Sequence, residues 1–451
     1  MTKAIKLKKG LEIRLKGKAQ NSVSQIPVGG IYSIMPEDFY GFKSKPVVKE
    51  GDEVLVGDPL FVNKENPELK VVSPVSGKVT EVIRGERRKL LSVKVVADEK
   101  QEQKTFEKID LNNSSVEEIK KILLETGIFA FFRQRPFDVV ATPTDTPRDI
   151  FVSAFSKMPL AREFSVALEG NERFFELGLK LLSRIAHTNV CFSEEQSKDM
   201  VDKLDLKDVD TYIVSGPNPS GNVGVQINNI APINKGEVVW TISPDTVIII
   251  GRLIDTEKLD FTKTIAVAGS EIKNPSYCKA LIGTSLKSIL KDNLSESSCI
   301  RIINGNPLVG SVASLDGHLS AAVSEVTAIP EGSDKNEVLG WIMPRLNDFS
   351  TSRSYFTWLE SKKKEYNLDA RIKGGERHII MSGEYDRVIP MNIYAGYLIK
   401  AILTGDLDRM EELGIYEVAP EDFATAEFVD SSKLELQRIV REGLDLLRKE
   451  L

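Results

Sequence analysis

Apolar and charged residues alternate at the start of the chain. In Ile5-Lys-Leu-Lys-Lys-Gly-Leu-Glu-Ile-Arg-Leu-Lys-Gly the pattern predicts a half-buried strand with a turn at Lys9-Gly10. Between residues 46 and 82, short apolar runs are cut by Gly51-Asp52 and Gly57-Asp58 and closed by a Ser73-Pro-x-x-Gly-x-Val turn, as in a compact β unit. Residues 97–108 are polar and read as an exposed linker. At Ser114 the period changes. A serine cap, an acidic first turn, apolar positions 116, 119, 122 and 123 and a closing Gly127 predict a helix. Strand candidates then alternate with helices. They are Asp149-Ile-Phe-Val-Ser-Ala, a helix over 172–186, Thr188-Asn-Val-Cys-Phe, a helix near 194–204, Thr211-Tyr-Ile-Val-Ser and Thr246-Val-Ile-Ile-Ile. That alternation argues for a parallel sheet between residues 109 and 256.

Further strand patterns follow at 264–270, 300–310 and 323–329, with a strand-to-helix step at 281–290. The rest is helix-rich. Leu436, Ile439, Val440, Leu444, Leu447 and Leu451 make one face of a terminal amphipathic helix, and Gly405 and Gly414 punctuate two shorter helices. We therefore expect an α/β multidomain chain of four units. Residues 1–100 resemble a biotinyl/lipoyl-type barrel sandwich with N-terminal strands. Residues 101–258 form a Rossmann-like α/β domain. Residues 259–330 resemble a β-grasp ligand-binding module, through the step at 281–290 and the Gly305-x-Pro-x-x-Gly turn. Residues 331–451 form a helical domain.

Length agrees with about three domains, each able to bury its own core. A composition of 41% apolar and 28% charged residues is that of a soluble globular protein, and a net charge of −6 argues against nucleic acid as the main partner. No apolar run reaches the ~18 residues that span a bilayer. The basic N-terminus has no apolar stretch of signal-peptide type, so a cytosolic chain is expected, with any membrane attachment through a partner. Cys191, Cys278 and Cys299 are too far apart for a local zinc or iron–sulfur site. His187 and Cys191 are four apart and would share a face if helical, but two ligands alone do not hold a metal.

Five motifs in order carry a resemblance: Lys8-Lys-Gly-Leu-Glu-Ile, Gly127-Ile-Phe-Ala-Phe-Phe-Arg-Gln-Arg-Pro-Phe, Ser215-Gly-Pro-Asn-Pro-Ser-Gly-Asn-Val-Gly, Trp341-Ile-Met-Pro-Arg-Leu-Asn-Asp-Phe-Ser and Ala370-Arg-Ile-Lys-Gly-Gly-Glu-Arg. Over nearly its whole length the chain resembles the NqrA family of the sodium-pumping NADH:quinone oxidoreductases. That family is related to the RnfC component of the Rnf complex and to the NADH-binding component of respiratory complex I. The resemblance implies a peripheral subunit on the cytoplasmic side of the cell membrane, docked on membrane-embedded partners. The whole complex would use NADH, flavins, iron–sulfur centres and quinone, and would couple electron flow to sodium export. Alternatives are a flavin-dependent component of an NADH dehydrogenase, resembling RnfC, and a non-enzymatic carrier or binding module.

The residues suggest which of the relatives' groups are kept. Flavin-bearing relatives have a glycine-rich corner after the first α/β helix. Here Phe129, Phe131 and Phe132 stand in that stretch and Gly127 alone remains, so no cofactor, metal or catalytic residue is expected on this chain. Phe131, Phe132, Arg133, Arg135 and Phe137 are the candidate quinone-proximal residues, the alternative being a packed aromatic corner. Burial is expected for Phe131 and partial exposure for Arg133 and Arg135. The Ser215–Gly224 loop lacks phosphate-loop spacing and reads as a structural loop or as a contact with another subunit. Family histidines in and after it are replaced by Asn218, Gln226 and Asn228. Lys64, nearest to a carrier lysine, lacks the Met-Lys-Met or Asp-Lys-Ala setting and reads as a solvated loop lysine. The tail around residues 422–430 has no cysteine, which excludes a thiolate-bound cluster there.

Overall fold

The computed structural model describes residues 2–297, 299–333, 345–351, 355–360, 363–380 and 383–450. Trp341 to Pro344 of the fourth motif, and Leu451 of the terminal helix face, lie outside the described residues. The barrel-sandwich unit stacks a four-stranded antiparallel sheet (in order Ile31–Ile34, Leu90–Ala97, Gly77–Arg84, Glu53–Val54) on a three-stranded one (Ser44–Pro46, Pro59–Asn63, Lys70–Val72). Leu60, Phe61, Val75, Val79 and Val93 fill the space between them and are wholly buried. The two Gly-Asp turns connect these strands, as their positive-φ glycines allow.

The α/β unit contains a seven-stranded sheet. Its order is Lys3–Lys6, Asp210–Ser215, His187–Ser193, Asp149–Ser153, Val239–Thr241, Arg133–Arg135, Val139–Val140; the first five are parallel and the last two antiparallel. From Asp149–Ser153 the chain moves outward twice, then returns to the other side for Val239–Thr241. The strand succession therefore reverses beside Asp149–Ser153, where a crevice opens at the strands' carboxyl ends.

The predicted helix is present as Val116–Glu125. Ser115 and Glu118 form a full capping box, and Gly127 is left-handed at φ 72°. Glu172–Ile185 follows its predicted span. The Thr246–Ile250 run is a correction: it lies inside a helix, Pro244–Thr256, not a strand. Ser243 caps Thr246 N and Pro244 occupies the first turn, so start signals outweigh the strand propensity of the β-branched residues. Burial of Val247 through Ile250 explains why the run shows no polar face. This helix crosses Glu172–Ile185 almost backbone to backbone: a Cβ at Gly251 would lie 1.7 Å from the Phe174 carbonyl oxygen, and one at Gly178 2.1 Å from that of Val247. Gly251→Ala is expected to lower stability by about 1–3 kcal/mol through overpacking, measurable as a drop in thermal midpoint; an unchanged midpoint would mean that the helices can separate freely.

The N-terminal segment is also corrected. Its alternation does mark burial, but only Lys3–Lys6 is a strand, and it pairs in the α/β sheet rather than in the barrel sandwich. Beyond it, Leu11 N donates to Asn218 O at 2.8 Å and Gly10 N to Arg387 O at 3.0 Å. Val23–Gln25 then joins the edge of a six-stranded mixed sheet built from residues 262–330. The segment thus ties three units together, and its polar backbone is paired across them. In the C-terminal unit, Ala395–Thr404, Leu407–Glu412, Ala424–Val429 and Leu436–Glu450 enclose Leu398, Met410, Phe423, Val440 and Leu444. Gly405 and Gly414 end helices in left-handed conformation, as predicted.

Candidate functional site

A cavity of about 610 Å³ occupies the crevice where the strand succession reverses. Ser153 and Thr241, at the ends of neighbouring parallel strands, form its floor with Ser243 and Thr246 at a helix start. Every unit contributes to its wall: Asp38 and Phe39 from the barrel sandwich, Phe131 and Arg133 from the corner, Asn306 and Glu325 from the six-stranded sheet, and Glu421 and Gln437 from the C-terminal helices.

The corner residues diverge. Phe129 and Phe132 are fully buried and stacked at 5.3 Å, each edge-on to Trp240 at 5.4 and 5.7 Å. They occupy the turn on its sheet side, away from the cavity. Phe131, in contrast, is half-buried, not buried as expected, and borders the cavity between Phe39 (5.3 Å) and Phe261 (5.7 Å). Phe137 leaves the corner to pack on the C-terminal core. Phe137 and Asp138 hold left-handed φ values of 81° and 50°, uncommon for residues with side chains. Arg441 fixes them by donating to both their carbonyls.

The two arginines separate as well. Arg133 is partly exposed, as expected, and pairs with Asp138 at 3.0 Å. Arg135 is corrected: it is 1% exposed. Its Nη2 donates to Glu421 Oε1 at 3.2 Å, Nη1 lies 3.5 Å from Asp422 Oδ2, and Nε lies 3.7 Å from Asp138 Oδ1. Burial acts against its charge, but Asp138, Asp422 and Glu421 outweigh it and raise its pKa. The sequence suggested exposure because two of its three carboxylate partners, Glu421 and Asp422, lie almost three hundred residues away in the C-terminal unit.

The Ser215–Gly224 loop binds the chain to itself. Asn218 Nδ2 donates to Thr425 Oγ1 at 2.7 Å, and Asn222 Nδ2 to the Glu421 carbonyl at 3.0 Å. Gln226 Nε2 donates to Ser153 Oγ at 2.8 Å, and Asn228 Oδ1 accepts from Asn392 N at 2.9 Å. Asn218, Gln226 and Asn228, themselves buried, therefore each fasten another part of the chain. His187 and Cys191 lie on a strand, not a helix. His187 pairs with Asp149 at 2.7 Å, and Cys191 is wholly buried with its thiol pKa raised by that burial. Among the described residues, no three His, Cys, Asp or Glu side chains gather as metal ligands. Lys64 is exposed in the turn after Pro59–Asn63. Lys64→Ala is expected to change stability by no more than about 0.5 kcal/mol; a clear drop in thermal midpoint would overturn this, and a mass shift on Lys64 matching biotin or lipoate would make it a carrier lysine.

A second charge cluster escaped the sequence reading. Arg162 Nη1 lies 2.5 Å from Asp245 Oδ1 and donates to Thr264 O at 2.8 Å, and Lys263 lies 3.7 Å from Asp245 Oδ2. Burial opposes the Asp245 charge, yet Arg162 and Lys263 hold its pKa below the usual range. Beside them, Asp38 accepts from Ser320 Oγ at 2.5 Å and Ala321 N at 2.8 Å, and burial pushes its pKa up to about 6. No local motif marks these residues, which come from three units; only Asp245 had a signal, as a first-turn helix acid.

Family models match three stretches of the chain: the NqrA N-terminal barrel-sandwich hybrid domain over residues 5–98, the NqrA second alpha/beta domain over 114–259, and the NQRA C-terminal domain over 264–314. Among curated relatives, the NqrA protein of the Na(+)-translocating NADH-quinone reductase of Haemophilus influenzae (strain PittGG) is 34% identical over 99% of this chain and 100% of its own length. The corresponding proteins of Yersinia pestis bv. Antiqua (strain Angola) and Pasteurella multocida (strain Pm70) are 33% and 32% identical, with the same coverage. The ordered motifs, the barrel-sandwich start and this end-to-end similarity lead to one conclusion: the chain belongs to the NqrA family of Na(+)-translocating NADH-quinone reductase subunits.

Proposed function

We propose that this chain is a cofactor-free, peripheral subunit of a sodium-translocating NADH-quinone reductase, docked on membrane-embedded subunits from the cytoplasmic side, with a central cavity that takes part in quinone interaction. In this reading the α/β sheet is Rossmann-like and the sheet of residues 262–330 is a β-grasp module. NADH oxidation and electron transfer through flavins and iron–sulfur centres belong to other subunits.

The observation that carries the reading is the aromatic corner. A flavin phosphate needs glycine backbone it can approach closely and a positive charge free to meet it. Here Phe129 and Phe132 fill the turn, and the arginines bordering the cavity, Arg133, Arg135 and Arg162, each already face a carboxylate. What is left is a cleft with Phe39, Phe131 and Phe155 on its walls and hydroxyls and carboxyls at its edges. Such a lining suits a flat, neutral ring with polar edge groups. Among the described residues no helix is long and apolar enough to cross a membrane, which is consistent with attachment through partner subunits.

Purifying the chain alone and within its complex tests this. The isolated chain should be monomeric and colourless, and cross-links in the complex should run from it to membrane-embedded subunits. Stoichiometric flavin or iron on the mildly purified chain would overturn the cofactor-free assignment, and cross-links confined to other peripheral subunits would overturn the docking.

A further inference from the structure

Two adjacent carboxyls at the cavity's C-terminal wall have opposite surroundings. Asp422 is fully buried and fully engaged: Oδ2 accepts from Ala419 N at 2.9 Å, Oδ1 accepts from Asn222 Nδ2 at 3.3 Å, and Arg135 lies 3.5 Å away. Glu421 sits on the same turn, Pro420–Phe423, but lines the cavity, and 41% of its side chain is exposed. Among the described residues its side chain makes one hydrogen bond, from Arg135 at 3.2 Å. The neighbourhood is crowded with charge. Arg135 is shared by Asp138, Glu421 and Asp422, while Arg133 is committed to Asp138. From the terminal helix, Arg441 donates to the carbonyls of Phe137 and Asp138 and pairs with Asp445 at 3.3 Å, and neutral Gln437 borders the same space. Asp138 and Asp422 together balance Arg133 and Arg135, so Glu421 is free to change its protonation state without leaving a buried cation unpaired.

We propose that Glu421 is the ligand-binding acid of this cavity: in its neutral form it donates its carboxyl proton as a hydrogen bond to a ring carbonyl of a quinone-class ligand, and in its ionised form it turns back to Arg135 and releases that ligand. The inference rests on the reading of the cavity as a quinone-interacting site. No electron moves in this step, and the proton stays on Glu421 within a hydrogen bond to the ligand oxygen. Burial, and then the neighbouring Asp422, push the Glu421 pKa up to about 7 against the pull of Arg135, so both forms are populated near neutrality. The ligand prefers the protonated form, so affinity falls as pH rises through that value. The protonated fraction falls as pH rises through neutrality, and apparent affinity falls with the competent fraction.

The test uses the intact complex and a water-soluble short-chain ubiquinone analogue, with NADH oxidation by ferricyanide as a control that bypasses quinone. Wild type should show an apparent quinone KM several-fold higher at pH 8 than at pH 6. Glu421→Gln keeps an N–H donor and should hold the low KM at both pH values. Ala322→Trp, at an exposed position on the cavity wall, should raise KM at both. A second measurement needs no variant: adding the analogue to the oxidised complex at pH 7.5, without NADH, should take up protons. If Ala322→Trp leaves KM unchanged, the cavity is not a quinone site and that reading fails. If Ala322→Trp raises KM but Glu421→Gln keeps the wild-type pH dependence, or the wild type takes up no protons, the cavity reading stands and the role of Glu421 is overturned.

Discussion

Arg135→Ala should destabilise the chain by about 3–5 kcal/mol, because it removes one partner of a buried ionic cluster and leaves the fully buried Asp422 without its cation. Asp422 would keep two hydrogen bonds but lose its cation, and Glu421 and Asp138 would each lose a counter-charge. The C-terminal unit should suffer most, because Glu421 and Asp422 join it to the corner and the Asn218 and Asn222 contacts act at the same seam. Hydrogen exchange in Ala395–Thr404 and Leu436–Glu450 should therefore rise more than in Glu172–Ile185. Arg133→Ala removes a partly exposed pair and should cost about 1 kcal/mol or less. The difference matters for function. A double change of both arginines would confuse unfolding with loss of quinone contact, whereas Arg133→Ala alone isolates the contact. Equal exchange in Arg135→Ala and the parent chain would show that the cluster does not hold the unit in place.

Phe132→Ala carries the second large expectation, a loss of about 3–5 kcal/mol, from deleting a fully buried ring between Phe129 and Trp240. The cavity left would be lined by aromatic faces that cannot collapse without moving the strand Val239–Thr241, so little of the loss should be recovered. Phe131→Ala, at a half-buried position on the cavity, should cost clearly less and shift the quinone KM while ferricyanide reduction stays normal. Chemical denaturation of the isolated chain and steady-state kinetics of the complex separate the two. A Phe132→Ala chain as stable as the parent would contradict the packed corner, and a Phe131→Ala complex with unchanged quinone kinetics would detach this ring from the ligand.

The local elements were legible because their causes are local. Ser115, Glu118 and Gly127 lie within one helix and satisfy its own ends, so spacing alone identified them. The Gly-Asp turns of the barrel sandwich and the apolar face of the terminal helix were visible for the same reason. The run at 246–250 misled because its β-branched residues speak for a strand, while Ser243 and Pro244, just before it, start a helix that burial keeps apolar all round. The alternation near the N-terminus correctly marked which side chains are half-buried or buried, but it held no information about the sheet that would receive them. The candidate site was legible only in outline. The aromatic and basic residues of the corner were found, but which of them reach the cavity was decided by partners far away. Arg135 is buried because a turn 286 residues later supplies Glu421 and, next to it, Asp422. Desolvation of a charge depends on everything packed around it, and a sequence lists neighbours along the chain, not those that exclude water. The family, most element types and the aromatic run Phe129–Phe132 were therefore written in the sequence, while the cavity, its charge pairing and the exposure of Glu421 arose only when the sheets and the C-terminal helices closed on one another.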